Sequence, residues 1–412
     1  MDNLSHSVVG LAAGELIHRS LPREADVSLH RVRRRLLLLA CWLASNFPDL
    51  DILLSPLLPA PLGYLLHHRG HTHTVLYAIP QALVLAGLMW LLWPTARRLL
   101  RESGNARTGF ALALLAGFGL HLLMDYLNSY GIHPFHPFDS RWLYGDMVFI
   151  LEPVFWVTFG VAMAMTLERI VLRFLFVVLL LGAPLYFTVH AFLPWTGFAA
   201  LCVIAAFLGV LQHRAGVQGR RALVAAFLLG LCFVAGQGFA SHRARNEITA
   251  QLHARDPAIR VVDVSLSSFP TNPVCWAFVS VESNEAAGMY RLRRGVFSLL
   301  PGMMPVGGCP EGFLDGAIPT NGARGIAFAQ EVNDSLAQLR NLEECNCHFR
   351  AWLRFARAPM FDAESASDLR FSSSPRGNFT TLDFDAFRQK ECPKHVPGWD
   401  FPRADLLGGV KK

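Results

Sequence analysis

Charged side chains are scarce in this sequence. They make up 17% of its 412 residues, where an average soluble protein has about 25%. Hydrophobic residues make up 52%, and mean hydropathy is +0.33. A soluble core of this size cannot hide that much apolar surface, whereas a lipid bilayer can. Other absences narrow the classes further. There is no nucleophile triad, phosphate-binding glycine loop or nucleotide motif, which sets nucleotide-driven chemistry aside. There is no internal repeat or low-complexity tract, so solenoid architectures drop out. Asp2 and His6, and no basic segment, precede the first apolar stretch, so the start does not read as a secretory signal.

What is present is a series of long apolar runs. Residues 75–93 carry no charge, and 109–127 are interrupted only by His121 and Asp125. Further runs cover 148–166, 174–192, 196–212 and 222–240. A bilayer crossing takes about 20 such residues, so each run qualifies or nearly does. Two shorter stretches, 7–17 and 36–45, read as helices packed into the bundle and only partly spanning. The expectation is a mainly α, polytopic transmembrane helical bundle with membrane lipids as its surroundings.

The net charge is +6, but the arginines form no single patch and nucleic acid is not an expected partner. They fall in short clusters between apolar runs: Arg31 to Arg35 with Arg19 and Arg23, then Arg97, Arg98, Arg101 and Arg107, then Arg169 and Arg173, then Arg214, Arg220 and Arg221. If every run crosses, all four clusters share one side, which the positive-inside rule makes cytoplasmic. The loops 46–74 and 129–147 and everything after 241 then share the opposite, periplasmic or extracytoplasmic face of an inner membrane.

The expected organisation is a membrane-embedded domain over 1–166, additional transmembrane helices over 167–240, and an extramembrane α+β or mainly β domain over 241–412. In that last part, residues 260–300 alternate like strands, 325–356 read as helical, and 369–386 read as strands again. Cys41, Cys202 and Cys232 lie in membrane runs and read as packing residues. Cys275, Cys309, Cys345, Cys347 and Cys392 follow. In an oxidising space they favour disulfides over a zinc site built on Cys345, Cys347, His348, Cys392 and His395, whose spacing fits no standard zinc motif. The odd count leaves one thiol over.

Four polar clusters interrupt the apolar sequence: Ser5-His6-Ser7, Asn46 to Asp51, His67 to Thr74, and His121 through His136. Ionisable groups in membrane spans are expensive and point to function. His121 and Asp125 are four apart, so a helix stacks them on one face, and His67 and His71 repeat the spacing unless Gly70 breaks the helix. Alternatively, an extended His71-Thr72-His73 would present alternate side chains. Pro48 ends the preceding helix and puts Asp49 and Asp51 in a turn, supplying carboxylates beside imidazoles. His6, Asp49, His67, His71, His121, Asp125, His133 and His136 are the expected ligands of two or three divalent ions, zinc first and manganese second.

These motifs, in order, carry a resemblance. His6, the Pro48-Asp49-x-Asp51 turn, the block from His68 to Thr74, and His121-x3-Asp125 with Gly131, His133, Pro134 and His136 downstream resemble the YdjM-type family of inner-membrane metal-dependent hydrolases. That family is similar, more remotely, to zinc-dependent phospholipase C and P1-type nucleases. The resemblance implies that His121 and Asp125 are metal ligands, with Asp49 and His71 as companions, and that the substrate is a phosphoester. One departure is that Glu152 has Val148, not histidine, four residues before it. The expected chemistry is attack by a metal-activated water, with Asp49 or Asp51 taking its proton and Arg69 gripping a phosphate, on a lipid or lipid-linked substrate. The competing classes are a metal-ion or proton transporter lined by the same histidines, and a membrane-anchored scaffold acting through 241–412. The apolar spans from 174 to 212 carry almost no polar groups, which favours the enzyme.

Overall fold

A computed structural model describes residues 1–310, 325–372, 374 and 376–408. In chain order its helices begin with α1 (Asn3–Ser20), α2 (Val27–Ala44), α3 (Leu62–His67), α4 (Val75–Leu92), α5 (Pro94–Glu102) and α6 (Gly104–Tyr126). There follow α7 (Pro153–Ala164), α8 (Ile170–Val189), α9 (Trp195–Ala215) and α10 (Arg221–Arg255). Then come strands β1 (Arg260–Phe269), β2 (Asn272–Asn284), β3 (Met289–Ser298) and β4 (Ile326–Ser335), helices α11 (Leu336–Cys345) and α12 (Cys347–Leu353), strands β5 (Pro359–Phe361), β6 (Ser365–Asp368) and β7 (Leu382–Asp383), and α13 (Phe384–Phe387). The chain divides into two compact units that interleave in sequence. One takes Met1–Leu50, Thr72–Asn128 and Val148–Gly236; the other takes Asp51–His71, Ser129–Met147 and the residues from Gln237 onward.

The first unit is a helical bundle. Across the described residues, six helical stretches are long and apolar enough to cross a membrane: 27–57, 75–92, 104–126, 170–189, 195–215 and 221–255. Within the run 148–166, expected to cross, the helix is shorter than those six. Glu152 caps α7 by accepting from Val154 N, Pro153 takes its first turn, and the helix has 12 residues. That is about 18 Å at 1.5 Å per residue, short of a hydrocarbon core of about 30 Å. Nearly every residue of α7 is buried within the unit, while α8, equally apolar, exposes most of its surface. An all-apolar helix is a core helix in the first case and a lipid-facing one in the second.

Helices α1, α2 and α6 approach closely through small residues. A Cβ placed on Gly14 would sit 2.8 Å from Leu37 O, and one on Gly117 would sit 2.5 Å from Ala44 Cβ. The arginines 31 to 35 lie inside α2, not in a loop before it. Arg33 is fully buried and donates to Pro22 O and Glu24 Oε1, both at 2.7 Å, while Arg34 donates to Glu15.

The second unit carries a four-stranded antiparallel sheet, order β1-β2-β3-β4, and a three-stranded one, β5-β6-β7. Ala244, Ile248 and Leu252 at the end of α10 pack on Val264, Trp276 and Phe297 of the larger sheet. The helix expected over 325–356 is corrected at its start: residues 326–335 form β4, and α11 begins only at Leu336, with Ser335 as its N-cap. IAFAQEVNDS alternates in burial and pairs with β3, so period two and edge pairing override helix propensity there. Two disulfides form, Cys275–Cys309 and Cys347–Cys392, and Cys345 is the exposed thiol left over. A buried ion network ties the unit together: Arg357 donates to Asp146 Oδ1 at 2.9 Å and to Asp263 Oδ2 at 2.6 Å.

Candidate metal centre

Four side chains from three segments of the first unit converge: Asp49, His73, His121 and Asp125, each offering a ligand atom within 4.8 Å of the others. His121 and Asp125 come from one face of α6, as their spacing requires. Asp49 follows Pro48 beyond the end of α2, and its side chain is 12% exposed while the other three are buried. His73 lies just before Thr74, whose hydroxyl caps α4 by accepting from Tyr77 N at 3.0 Å. The cap fixes where α4 starts, and so where His73 sits.

The distances are those of a shared centre. His73 Nε2 is 2.9 Å from His121 Nε2, 3.1 Å from Asp125 Oδ2 and 3.3 Å from Asp49 Oδ1. His121 Nε2 is 3.4 Å from Asp125 Oδ2 and 3.7 Å from Asp49 Oδ1. The supporting bonds set the tautomer. His121 Nδ1 is 2.8 Å from Ser45 O; a carbonyl only accepts, so Nδ1 carries the proton and the Nε2 lone pair faces the cluster. His73 Nδ1 is 3.0 Å from Thr72 Oγ1. His6 stacks on His121 with ring centroids 4.1 Å apart and sets its Nε2 3.2 Å from Asp125 Oδ1, which also accepts from the amino group of Met1. Trp156 Nε1 donates to Ser5 Oγ at 2.9 Å, and Ser5 Oγ donates to Asp2 Oδ2 at 2.6 Å, which fixes the start of α1 and with it His6.

This donor set fits a divalent cation. Two carboxylates held this close in a buried place repel one another and lose hydration, and a cation relieves both costs. Two imidazole nitrogens with two carboxylate oxygens are ligands that zinc accepts, and four donors this close suit one ion. It is the one such group among the described residues.

Of the residues expected from sequence, Asp49, His121 and Asp125 are members, His6 borders the cluster, and His73 takes the place expected for His71. His67, His71, His133 and His136 are not members and belong to the second unit. There α3 ends at His67, as Gly70 suggested. His71, His133 and His136 gather on Trp399, with ring centroids 4.8, 4.0 and 4.8 Å from it. Burial pushes the His133 pKa down to about 3. Asp51 also belongs to this unit: its Oδ1 is 2.9 Å from His68 Nδ1, and its Oδ2 accepts from Arg69 N at 2.9 Å. Arg69 is buried at positive φ, with its guanidinium 4.8 Å above the Tyr130 ring.

Comparison with known proteins points to a membrane family. Residues 1–193 match the profile of a family described as YdjM inner membrane protein. Among curated proteins, the uncharacterized protein YfhP of Bacillus subtilis (strain 168) is 25% identical over 165 residues, which is 40% of this chain and 46% of YfhP. The match therefore covers about half the length of that relative. No solved structure matches the chain. All four cluster residues lie inside the matched segment, so the part of this multi-pass membrane protein that carries the candidate centre, residues 1–193, is similar to the YdjM inner membrane protein family.

Proposed function

We propose that the protein is a membrane-bound, metal-dependent hydrolase that cleaves a phosphoester, with a lipid or lipid-linked compound as the substrate class. The observation that carries this reading is the buried group of Asp49, His73, His121 and Asp125 inside a membrane unit. A divalent cation there, zinc in the first instance, supplies Lewis acidity: a more acidic water and neutralisation of charge developing on a phosphoryl oxygen.

The chain's own residues do the rest. Ser45 O holds His121 in the tautomer that presents Nε2, and Thr72 steadies His73. His6 orients Asp125 through Oδ1, leaving Oδ2 toward the two imidazoles. Asp49 is the one member of the four with solvent access, so it is the group able to accept the proton of an attacking water. Asp51 is engaged at both oxygens by His68 and Arg69, which leaves the proton-accepting role to Asp49. The extracytoplasmic side proposed for the disulfide-bearing residues is supported by the two disulfides, which persist in oxidising compartments.

The test is hydrolysis by the detergent-purified chain, restored with zinc or manganese, against phospholipids and a generic phosphodiester. Release of phosphate or alcohol product that Asp49→Asn abolishes supports the proposal. Absence of any cleavage by protein that holds its metal refutes the phosphoesterase reading.

A further inference from the structure

In the first unit, helices α4, α5 and α6 enclose an open groove of about 580 Å³ whose walls include Ala86, Gly87, Trp90 and Phe110 and whose rim includes Arg101 and Arg107. Its depth follows from the sequence. Ala86 lies six residues before the end of α4 at Leu92, about 9 Å along the helix, so the groove runs from the end of a membrane span into its apolar part. Helix α5 is short and two-sided: Ala96, Leu99 and Leu100 are buried while Arg98 and Arg101 are exposed. Such a helix suits the plane of the bilayer interface, and Trp90 and Trp93 stand at the level where tryptophan concentrates.

The charge at the rim is uncompensated. Arg98 pairs with Glu102 at 2.9 Å. The Arg101 guanidinium lies 5.3 Å from the Trp90 ring centre, and Arg107 donates to Leu100 O at 3.0 Å and Arg101 O at 3.1 Å. Neither Arg101 nor Arg107 has a carboxylate partner among the described residues. Two guanidinium groups without counter-charge, above an apolar slot at interfacial depth, complement one kind of molecule: a phosphate on an acyl chain. We propose that this groove is a binding site for an anionic phospholipid of the arginine-side leaflet, with its phosphate on Arg101 and Arg107 and a chain along Gly87 and Phe110. It is separate from the metal-centre reading and does not depend on it.

The test is native mass spectrometry of the full chain released from mixed micelles of phosphatidylglycerol and phosphatidylcholine in equal amounts. The wild type is expected to retain phosphatidylglycerol preferentially. A basic residue at an anionic surface is worth about fivefold, so Arg101→Gln with Arg107→Gln should lower that preference about 25-fold. Gly87→Leu fills the slot without collision, because a Cβ there meets no atom within 4 Å, and should also abolish retention. Glycerol phosphate, a headgroup without chains, should not be retained. No preference in the wild type overturns the proposal. So does a preference that survives Gly87→Leu, which would mean surface charge attraction without a groove. If the glutamine pair fails to fold, Gly87→Leu alone decides.

Discussion

At the residue scale the metal centre rests on which atom of each side chain faces inward. His121 is held by Ser45 O through Nδ1, so its contribution is a neutral Nε2, and His121→Ala removes a ligand and leaves that carbonyl without its donor. His6 acts behind the cluster through Asp125; His6→Ala should weaken metal affinity about 10- to 100-fold, as loss of a supporting partner does, without changing the number of ions bound at saturation. Isothermal titration with zinc separates the two. The histidines in His71-Thr72-His73 should also differ: His73→Ala abolishes the site, while His71→Ala, whose ring lies against Trp399, leaves it intact. The sequence could be read as far as His121, Asp125 and Asp49, because a helix repeat and a proline-led turn fix their directions. It pointed to His71, where the structure brings in His73. That choice is made by the short turn and by the Thr74 cap, which set where α4 begins.

At the element scale the centre depends on how closely α6 can approach α2. Gly117 precedes His121 by four residues and faces Ala44 and Cys41 O. Gly117→Val should therefore push α6 away, cost about 1–3 kcal/mol of stability as overpacking does, and weaken metal binding. Gly119→Val on the same helix, where a Cβ meets nothing within 4 Å, should alter neither; thermal melts and metal content of the two variants check this. Apolar runs alone could show that these helices exist. They could not show that α7 is enclosed while α8 faces lipid, since the two are alike in composition and differ only in what surrounds them. The start of α11 escaped for a related reason: residues 326–335 become a strand because β3 offers an edge to pair with.

At the scale of the whole molecule, the second unit holds a buried ion network and two disulfides beside a large apolar core. Burial acts to raise the Asp263 pKa, but the charges of Arg357 and Arg403 outweigh it and hold the carboxyl well below its usual range. A lowered carboxyl pKa contributes stability that is present above the unfolded value of about 4 and is lost as pH falls through the folded one. Arg357→Met should cost about 3–5 kcal/mol near neutral pH by leaving buried carboxylates short of a partner. It should cost less at pH 4, where those carboxylates can take up protons; urea unfolding at the two pH values tests the sign. Orientation has its own readout. Cys345 is exposed and free, so a membrane-impermeant maleimide should label it in cells with an intact inner membrane if these residues are extracytoplasmic, and should fail to if they are cytoplasmic. The metal centre is tested most directly by metal content, measured by mass spectrometry on the detergent-purified chain, wild type beside His73→Ala and His121→Ala. One zinc or manganese ion per chain, lost in both variants and kept in His71→Ala, is the expected result; a wild type that stays metal-free after zinc is added back, or variants that keep their ion, would contradict it.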